Sequence, residues 1–351
     1  MKHSLCEWVA NEALLNHLIA GFPAWGLLLM MVACIYVLSK GADYMIDGAA
    51  SLAMRTGMPR IVIGATIISL GTTMPEMFVS VAAAWTGNPG LALGNGVGSI
   101  ICDTGLIFGL MCIISRIPVK RYILNRTGWV QVGAATLLVL ISVLAYVTSN
   151  GRPVLGRGVG LTFLALLAWY LFMAYHWARQ GGEEEENEEE EAEPDWSTLN
   201  SLWLTLVGLL GVIVSCRLVV PTAAEGAGRM GVPQDVIAAT LVAFGTSLPE
   251  LMTAITSVRK GYPQIMVGNV VGADVLNCLF VIGAAATAHH LEVPPNFFTF
   301  HFPAMLIILY SFRFFIFMNK DGWFKRWQGM WILGVYVSYI ILQYTCNMGA
   351  T

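Results

Sequence analysis

Long apolar runs recur along the chain, each of about 20 residues and separated from the next by a short polar stretch. A run of this length is enough for a helix to cross the hydrocarbon core of a bilayer. The pattern predicts an all-α membrane protein with ten transmembrane helices. The predicted spans lie near residues 24–49, 60–84, 90–114, 127–148, 156–177, 199–221, 233–257, 264–288, 299–318 and 327–346.

Composition agrees with this pattern, since 56% of the 351 residues are hydrophobic and only 12% are charged. A soluble domain carries about 25% charged residues. The expected surroundings are therefore the lipid bilayer, and a nucleic acid partner is not expected. Ten of the 22 acidic residues lie between Glu183 and Asp195, so an acid inside an apolar run stands out. The seven cysteines show no CxxC spacing and are expected to be small buried hydrophobic residues.

Lysine and arginine residues indicate the orientation of the spans. With the N-terminus outside, thirteen basic residues fall in inside segments and five in outside segments. Basic residues concentrate on the cytoplasmic side of membrane proteins. We therefore expect both termini to be extracytoplasmic. Residues 178–198 would form an acidic cytoplasmic linker between five spans and five spans, too charged to fold by itself.

An internal repeat gives the strongest signal in the sequence. Residues 57–103 align without gaps to residues 231–277 at an offset of 174, with sixteen of 47 positions identical. The two copies begin at the second and seventh predicted spans, and an odd separation inverts the second copy in the membrane. Inverted repeats are typical of transporters. We expect two inverted five-helix repeats, at residues 24–177 and 199–346.

Each copy contains a helix-breaking segment that ends in a glutamate. In residues 71–76 (GTTMPE), Pro75 lacks an amide hydrogen and Gly71 loosens the preceding turn. Residues 245–250 (GTSLPE) repeat the arrangement. The break frees backbone carbonyls, and Glu76 and Glu250 place two carboxylates inside apolar spans, where a charge is costly. A cation with oxygen ligands, such as Ca²⁺ or Na⁺, offsets both costs.

The second helix of each copy carries a Gly-Asn pair followed by a further glycine, as in residues 94–98 and 268–272. Small residues let membrane helices approach closely, so we interpret these glycines as packing residues. Asp103 and Asn277 occupy equivalent positions one to two turns further on, where their polar groups can face the same cavity.

At these residues the chain resembles the cation/Ca²⁺ exchanger superfamily, in particular prokaryotic Na⁺/Ca²⁺ antiporters. The matching motifs are G-T-[ST]-x-P-E and G-N-x-x-G-[SA], present in both copies. The resemblance implies exchange of Ca²⁺ for Na⁺ by alternating access, without a cofactor, in a prokaryotic inner or plasma membrane. It implies that the metal is held by the carboxylates of Glu76 and Glu250 and the carbonyls of Thr72 and Thr246. The other implied ion ligands are Thr73, Ser247, Ser99, Asp103 and Asn277, with Asn95, Asn269 and Asp274 as further candidates.

Two positions depart from the pattern of the family. The better-known prokaryotic type has Asn in the first copy and Asp in the second, whereas here Asp103 precedes Asn277. Ala273 stands where a serine is usual, so one Na⁺ site loses a side-chain oxygen. Asp274 is adjacent, but its side chain points about 100° away on a helix. The coupling ion is therefore open, with H⁺/Ca²⁺ exchange and K⁺-dependent exchange as alternatives, and the sequence does not give the oligomeric state.

Other functional classes fit less well. An intramembrane aspartyl protease is a remote alternative, but it needs two aspartates, whereas the duplicated acids are glutamates and no G-x-G-D motif occurs. A channel has no general need for inverted repeats around a closed site. The HExxH, Walker A and GxSxG motifs are missing as well, so we do not expect an enzyme.

Overall fold

The computed structural model describes residues 18–149, 153–185, 196–230 and 245–345. Their backbone is largely helical, as expected of apolar segments that must satisfy their own hydrogen bonds in lipid. The helices of the first half are α1 (Ala24–Thr56), α2 (Arg60–Thr72), α3 (Met74–Trp85), α4 (Pro89–Ile114), α5 (Arg121–Thr148) and α6 (Arg157–Glu185). Those of the second half are α7 (Thr198–Arg229), α8 (Leu248–Arg259), α9 (Pro263–Ala288), α10 (Phe297–Met318) and α11 (Arg326–Thr345).

Membrane-spanning length is reached by seven of the helices in the described part of the chain, namely α1, α4, α5, α6, α7, α9 and α10. The bent pair of α2 and α3 adds an eighth span if it is counted as one. The protein is thus an all-helical integral membrane protein, and the prediction of its fold class is confirmed at this level. The first part of the seventh predicted span, residues 233–244, lies outside the described residues. Helix α11 covers the tenth predicted span.

The predicted helix break in the first copy is present. Helices α2 and α3 meet at 42°, and Pro75 lies in the first turn of α3. A proline is tolerated there because the first amide groups of a helix have no partner within it. In the second copy, α8 begins in the same way, with Pro249 in its first turn after Ser247.

Local backbone geometry recurs at the offset of 174 residues. Gly87 and Gly261 both adopt a φ of 82°, in the left-handed region where glycine is favoured. The helices that follow, α4 and α9, both start at a proline. Both also contain a π-helical segment, Asp103–Phe108 in α4 and Asn277–Val281 in α9. The two copies therefore share a backbone design as well as a motif.

Helices α1 and α7 pack along each other through glycines. A Cβ added to Gly208 would lie 2.4 Å from the backbone nitrogen of Met45, and one added to Gly48 would lie 2.7 Å from the carbonyl oxygen of Ser201. Such distances leave no room for a side chain, so the two backbones are in contact. Only 28% of the most apolar window of each helix is buried, so this pair lies at the outside of the helix assembly.

Two short β contacts join loops that are far apart in sequence. Strand β1 (Val154–Leu155) pairs antiparallel with β2 (Leu291–Glu292), and Pro118 forms an isolated bridge with Trp323. The first contact joins the α5–α6 loop to the α9–α10 loop, and the second joins the α4–α5 loop to the α10–α11 loop. Each contact therefore links a loop of one half of the chain to a loop of the other.

Several helices extend beyond the predicted spans. Helices α1 and α7 end at Thr56 and Arg229 rather than near residues 49 and 221. Helix α6 continues to Glu185, so its backbone enters the acidic segment that we expected to be without structure. Glutamate is a good helix former, and a helix already nucleated in the membrane can extend into water. Residues 186–195 lie outside the described residues.

Candidate ion-binding site

The site is built around α4 and α9, whose apolar windows are 72% and 94% buried. Close packing against α2 depends on the glycines of α9. A Cβ on Gly268 would lie 2.0 Å from the carbonyl oxygen of Ile61, and one on Gly272 would lie 2.4 Å from that of Ala65. These contacts lay α2 along the first half of α9. This confirms the interpretation of these two glycines as packing residues. For Gly94 and Gly98 the described residues do not support the interpretation, because a Cβ on Gly98 would meet no described atom within 4 Å and one on Gly94 only Phe297 at 3.9 Å.

The two predicted glutamates lie in equivalent positions, in the first turns of α3 and α8. Each is 1% exposed. Their carboxylates are close enough to interact electrostatically. Both oxygens of Glu76 and Oε2 of Glu250 have no hydrogen-bond partner among the residues that the structure describes. Three buried carboxylate oxygens are therefore free to accept, which is a costly arrangement unless a cation occupies the space between them.

The two GT-[ST] segments, which precede these glutamates in the chain, carry hydroxyl groups. Thr72, Thr73 and Ser247 are at most 2% exposed, and Thr73 Oγ1 has no partner. Thr72 Oγ1 lies 3.4 Å from Oδ1 of Asn269 and within hydrogen-bonding reach of Glu250. Thr246 is only half-buried. These hydroxyl oxygens are neutral ligands of the kind that hard cations such as Ca²⁺ and Na⁺ bind.

Asp103 and Asn277 meet where the π-helical segments of α4 and α9 begin. Asn277 Nδ2 donates to Asp103 Oδ2 over 3.4 Å, and Oδ1 of each residue lacks a partner in the ranges that the structure describes. A π-bulge inserts an extra residue into a helical turn and is frequent at functional sites. Ser99, one turn before Asp103, is 4% exposed. The structure therefore brings together the predicted central pair.

The predicted asparagines of the Gly-Asn pairs serve as links between helices. Asn95 Nδ2 donates to the carbonyl oxygen of Glu76 at 3.1 Å and to Ser80 Oγ at 2.9 Å, which ties α4 to α3. Asn269 accepts the hydrogen bond from Thr72 and ties α9 to the end of α2. The amide nitrogen of Asn95 thus holds the backbone that carries Glu76.

Sequence reasoning missed two polar residues next to the site. Thr104 Oγ1 donates to Asp274 Oδ2, and Gln131 Nε2 donates to the same oxygen at 2.5 Å. All three residues are at most 1% exposed. Gln131 is the only amide or charged side chain between residues 127 and 148, an apolar span. A polar residue inside an apolar span is a functional candidate, and applying this rule to the sequence would have identified Gln131.

The site gathers four buried carboxyl groups. The carboxyl group of Asp103 interacts electrostatically with those of Glu76, Glu250 and Asp274, and Glu76 also interacts with Glu250 and with Arg217. Among the described residues, no group of three or more His, Cys, Asp or Glu side chains has the geometry of a metal site. An ion here would therefore be held by the glutamate pair together with neutral hydroxyl, amide and carbonyl oxygens, which is a donor set for a hard cation.

Comparison with known proteins finds matches over most of the chain. The family model for the sodium/calcium exchanger protein matches residues 26–176 and 200–345. The chain is 31% identical over 320 residues to the inner membrane protein YrbG of Escherichia coli strain K12, covering 90% of this chain and 96% of that protein. It is 26% identical over 343 residues to the sodium/calcium exchanger MaX1 of Methanosarcina acetivorans, covering 90% and 97%.

A solved structure is similar over nearly the whole chain. The sodium-calcium exchanger NCX_Mj, soaked with 2.5 mM Na⁺ and 10 mM Sr²⁺, superposes with a TM-score of 0.77 at 28% sequence identity. The match covers 91% of this chain and 99% of that one. A similarity of this extent applies to the whole membrane domain as well as to the repeated motifs.

Proposed function

Because the chain belongs to the sodium/calcium exchanger family, we propose that it is a secondary-active antiporter that moves Ca²⁺ across the membrane in exchange for Na⁺. The observation that carries the proposal is the pair formed by Glu76 and Glu250. Two buried glutamates in equivalent helix starts offer three carboxylate oxygens without a partner. Two negative charges match one Ca²⁺, and the cost of burying them falls when the ion is bound.

The remaining ligands come from the residues around the glutamates. Ca²⁺ takes six to eight oxygen ligands. We assign the carboxylates of Glu76 and Glu250 and the backbone carbonyls of Thr72 and Thr246 to the Ca²⁺ site. The hydroxyls of Thr73, Ser247 and Ser99 and the side-chain oxygens of Asp103 and Asn277 complete the ion sites. The unpartnered oxygens of Thr73, Asp103 and Asn277 support this assignment.

Exchange follows from sharing of ligands. If Na⁺ ions use the same carboxylates as Ca²⁺, the two kinds of ion cannot be bound together. Only a loaded site is neutral enough to pass through the low-dielectric interior. Transport then requires alternate opening of the site to the two sides of the membrane. Helices α1 and α7, which pack on each other through glycines at the outside of the assembly, are the elements that we expect to move.

The proposed architecture has ten spans in two inverted five-helix repeats, residues 24–177 and 199–346, joined by the acidic linker. The repeated turns at Gly87 and Gly261 and the two loop-to-loop β contacts support this symmetry. The distribution of basic residues supports extracytoplasmic termini and a cytoplasmic linker. With this orientation the ion pairs of Asp43 with Arg259 and of Asp47 with Lys260 lie on the cytoplasmic side.

A second coupling ion, H⁺, is favoured by one observation. Four carboxylates are buried together, and Ala273 supplies no side-chain oxygen for Na⁺. Protons can neutralise carboxylates without any further ligand. K⁺ dependence is a third alternative within the same class of exchanger.

The test is uptake of ⁴⁵Ca²⁺ into proteoliposomes that contain the full-length protein. Vesicles loaded with Na⁺, with acid or with K⁺ are diluted into media without that ion, at matched osmolarity. We expect uptake from Na⁺-loaded vesicles, and little from Glu76→Gln or Glu250→Gln vesicles. Glu292→Gln, an exposed glutamate on β2, is the matched control. Uptake that follows the pH gradient alone would refute Na⁺ coupling, and normal transport by both site variants would refute the site.

A further inference from the structure

Asp274 is held in a polar cluster on the side of α9 that faces α4 and α5. Its Oδ2 accepts hydrogen bonds from the hydroxyl of Thr104 and from Nε2 of Gln131, the latter at 2.5 Å. Gln131 Nε2 also lies 3.4 Å from Thr104 Oγ1. We call these three residues the Asp274 cluster. It draws on α5, a helix that contributes no residue to the glutamate site described above.

The cluster has unused oxygen atoms. Within the described part of the chain, Asp274 Oδ1 and Gln131 Oε1 are buried without a hydrogen-bond partner, and so is Oδ1 of the neighbouring Asp103. None of the ion pairs found among the described residues involves Asp274. A buried carboxyl group without a basic partner among the described residues, next to an unpartnered amide oxygen and a second carboxyl group, lacks a positive charge.

The other half of the chain shows that the fold itself does not require this cluster. At the offset of 174 residues, Asp274, Thr104 and Gln131 correspond to Ile100, Cys278 and Met305. Those three residues are buried and apolar. Since ordinary hydrophobic packing fills the equivalent position, the polar residues of the cluster serve a purpose other than packing. Replacing buried polar groups by apolar ones is often neutral or stabilising, which strengthens this argument.

We infer that Asp274, Thr104 and Gln131 form a monovalent-cation site occupied by Na⁺, with Asp274 Oδ1 and Gln131 Oε1 as ligands. One carboxylate balances one unit of charge, whereas the glutamate pair balances a divalent ion. The site lies one residue from Ala273, which lacks a side-chain oxygen, and offers oxygen ligands on a different face of α9. The inference rests on the proposed antiport only for its role as a transport site. Binding of Na⁺ itself does not depend on antiport.

The direct test is Na⁺-dependent thermal stabilisation of the purified full-length protein, with NaCl replacing choline chloride at constant ionic strength. A ligand that binds the folded state raises its stability with concentration. We expect Asp274→Asn and Gln131→Leu each to raise the Na⁺ concentration for half-maximal stabilisation by about tenfold, the loss of one charge-assisted contact. Thr104→Val should act in the same direction, and Thr104→Ser should restore the value.

Thr127→Val is the matched control, because Thr127 lies one turn before Gln131 on α5 and its hydroxyl only binds the carbonyl of Ile123. In proteoliposomes, the ratio of the half-saturating concentrations for Na⁺ and Ca²⁺ should rise in the cluster variants and stay constant in the control. Variants that lose stability in Na⁺-free buffer but keep the wild-type Na⁺ midpoint would show a packing role and overturn the inference.

The measurements are repeated at pH 6.5 and 8.5 to separate Na⁺ from H⁺. Variants that change only the pH dependence, with an unchanged Na⁺ midpoint, would mean a proton site and overturn the Na⁺ assignment. Wild-type protein that is stabilised by Na⁺ but shows no Na⁺-driven Ca²⁺ uptake would refute the antiport and leave this site in place. Na⁺-driven Ca²⁺ uptake by the wild type, together with an unchanged Na⁺ midpoint of stabilisation in every cluster variant, would support the antiport and refute this site.

Discussion

Substitution of Glu76 by Gln removes one negative charge from the proposed Ca²⁺ site and leaves the size of the side chain nearly unchanged. The residue is 1% exposed, and both of its carboxylate oxygens lack a partner. Because the site is closed to solvent, water cannot solvate the ion in place of the carboxylate that is removed. The variant tests the charge of the site with little effect on its packing.

The magnitude follows from the burial of the pair. Removing one partner of a buried, paired charge costs about 3–5 kcal/mol. Since about 1.4 kcal/mol corresponds to a factor of ten, the Ca²⁺ affinity of Glu76→Gln should fall by roughly 10²- to 10⁴-fold. Glu250 has one unpartnered oxygen rather than two. The Ca²⁺ affinity of Glu250→Gln should therefore fall less than that of Glu76→Gln. The difference between the two losses of binding free energy should be about 0.5–1.5 kcal/mol, the contribution of one neutral hydrogen bond.

The assay is exchange of internal ⁴⁰Ca²⁺ for external ⁴⁵Ca²⁺ in Na⁺-free proteoliposomes, which measures Ca²⁺ affinity whatever the coupling ion. Glu292→Gln controls for loss of an exposed carboxylate, and the unfolding temperature of each variant controls for folding. A folded Glu76→Gln protein whose half-saturating Ca²⁺ concentration stays within a few fold of the wild type would refute the reasoning. A larger loss for Glu250→Gln than for Glu76→Gln would refute the ranking.

Three further substitutions test the packing, the asymmetry and the surface charges. Gly268→Ala places a Cβ 2.0 Å from the carbonyl oxygen of Ile61, so it should prevent folding of monodisperse protein in size-exclusion chromatography, whereas Gly133→Ala, on the exposed side of α5, should be neutral or stabilise by up to about 1 kcal/mol. Ala273→Ser restores a hydroxyl to α9 and should lower the Na⁺ concentration for half-maximal Ca²⁺ uptake; an unchanged or higher value would contradict a role for this position in Na⁺ binding. Asp47→Asn removes an ion pair of 2.6 Å to Lys260, with side chains 32% and 23% exposed, so it should cost only about 0.2–1 kcal/mol of stability, and 0.5 M NaCl should abolish the difference in thermal unfolding.

Much of the fold and of the site follows from local sequence features. Proline next to glutamate predicts the helix break and the buried acid, and the break at Pro75 is present. Glycine spacing predicts close helix contact, and Gly268 and Gly272 make it. Such features act within one turn or one contact, so periodicity and residue type suffice to locate them. The assigned roles of individual residues as ion ligands stay predictions.

The features that sequence reasoning missed depend on contacts between distant segments. Gln131 belongs to a polar cluster only because the fold places α5 against Asp274, which is 143 residues away in the chain. The β contacts between loops likewise depend on the assembled fold. The ends of α1, α6 and α7 were misplaced because a hydropathy window marks the membrane boundary, whereas a helix ends where its backbone hydrogen bonds end.

The two halves of the molecule combine a repeated backbone with polar residues that differ. The turns, the helix starts and the glutamates repeat at one offset. At the same offset, Asp103 is equivalent to Asn277 and Ser99 to Ala273, and the residues equivalent to the Asp274 cluster are apolar. A perfectly two-fold site would offer the same ligands to ions from both sides of the membrane, since the inward-open and outward-open states would be related by the symmetry axis. Here the residues that differ lie beside the glutamates rather than at them. The proposed divalent site is therefore nearly symmetric, and the differences fall on the positions to which we assign the monovalent coupling ion.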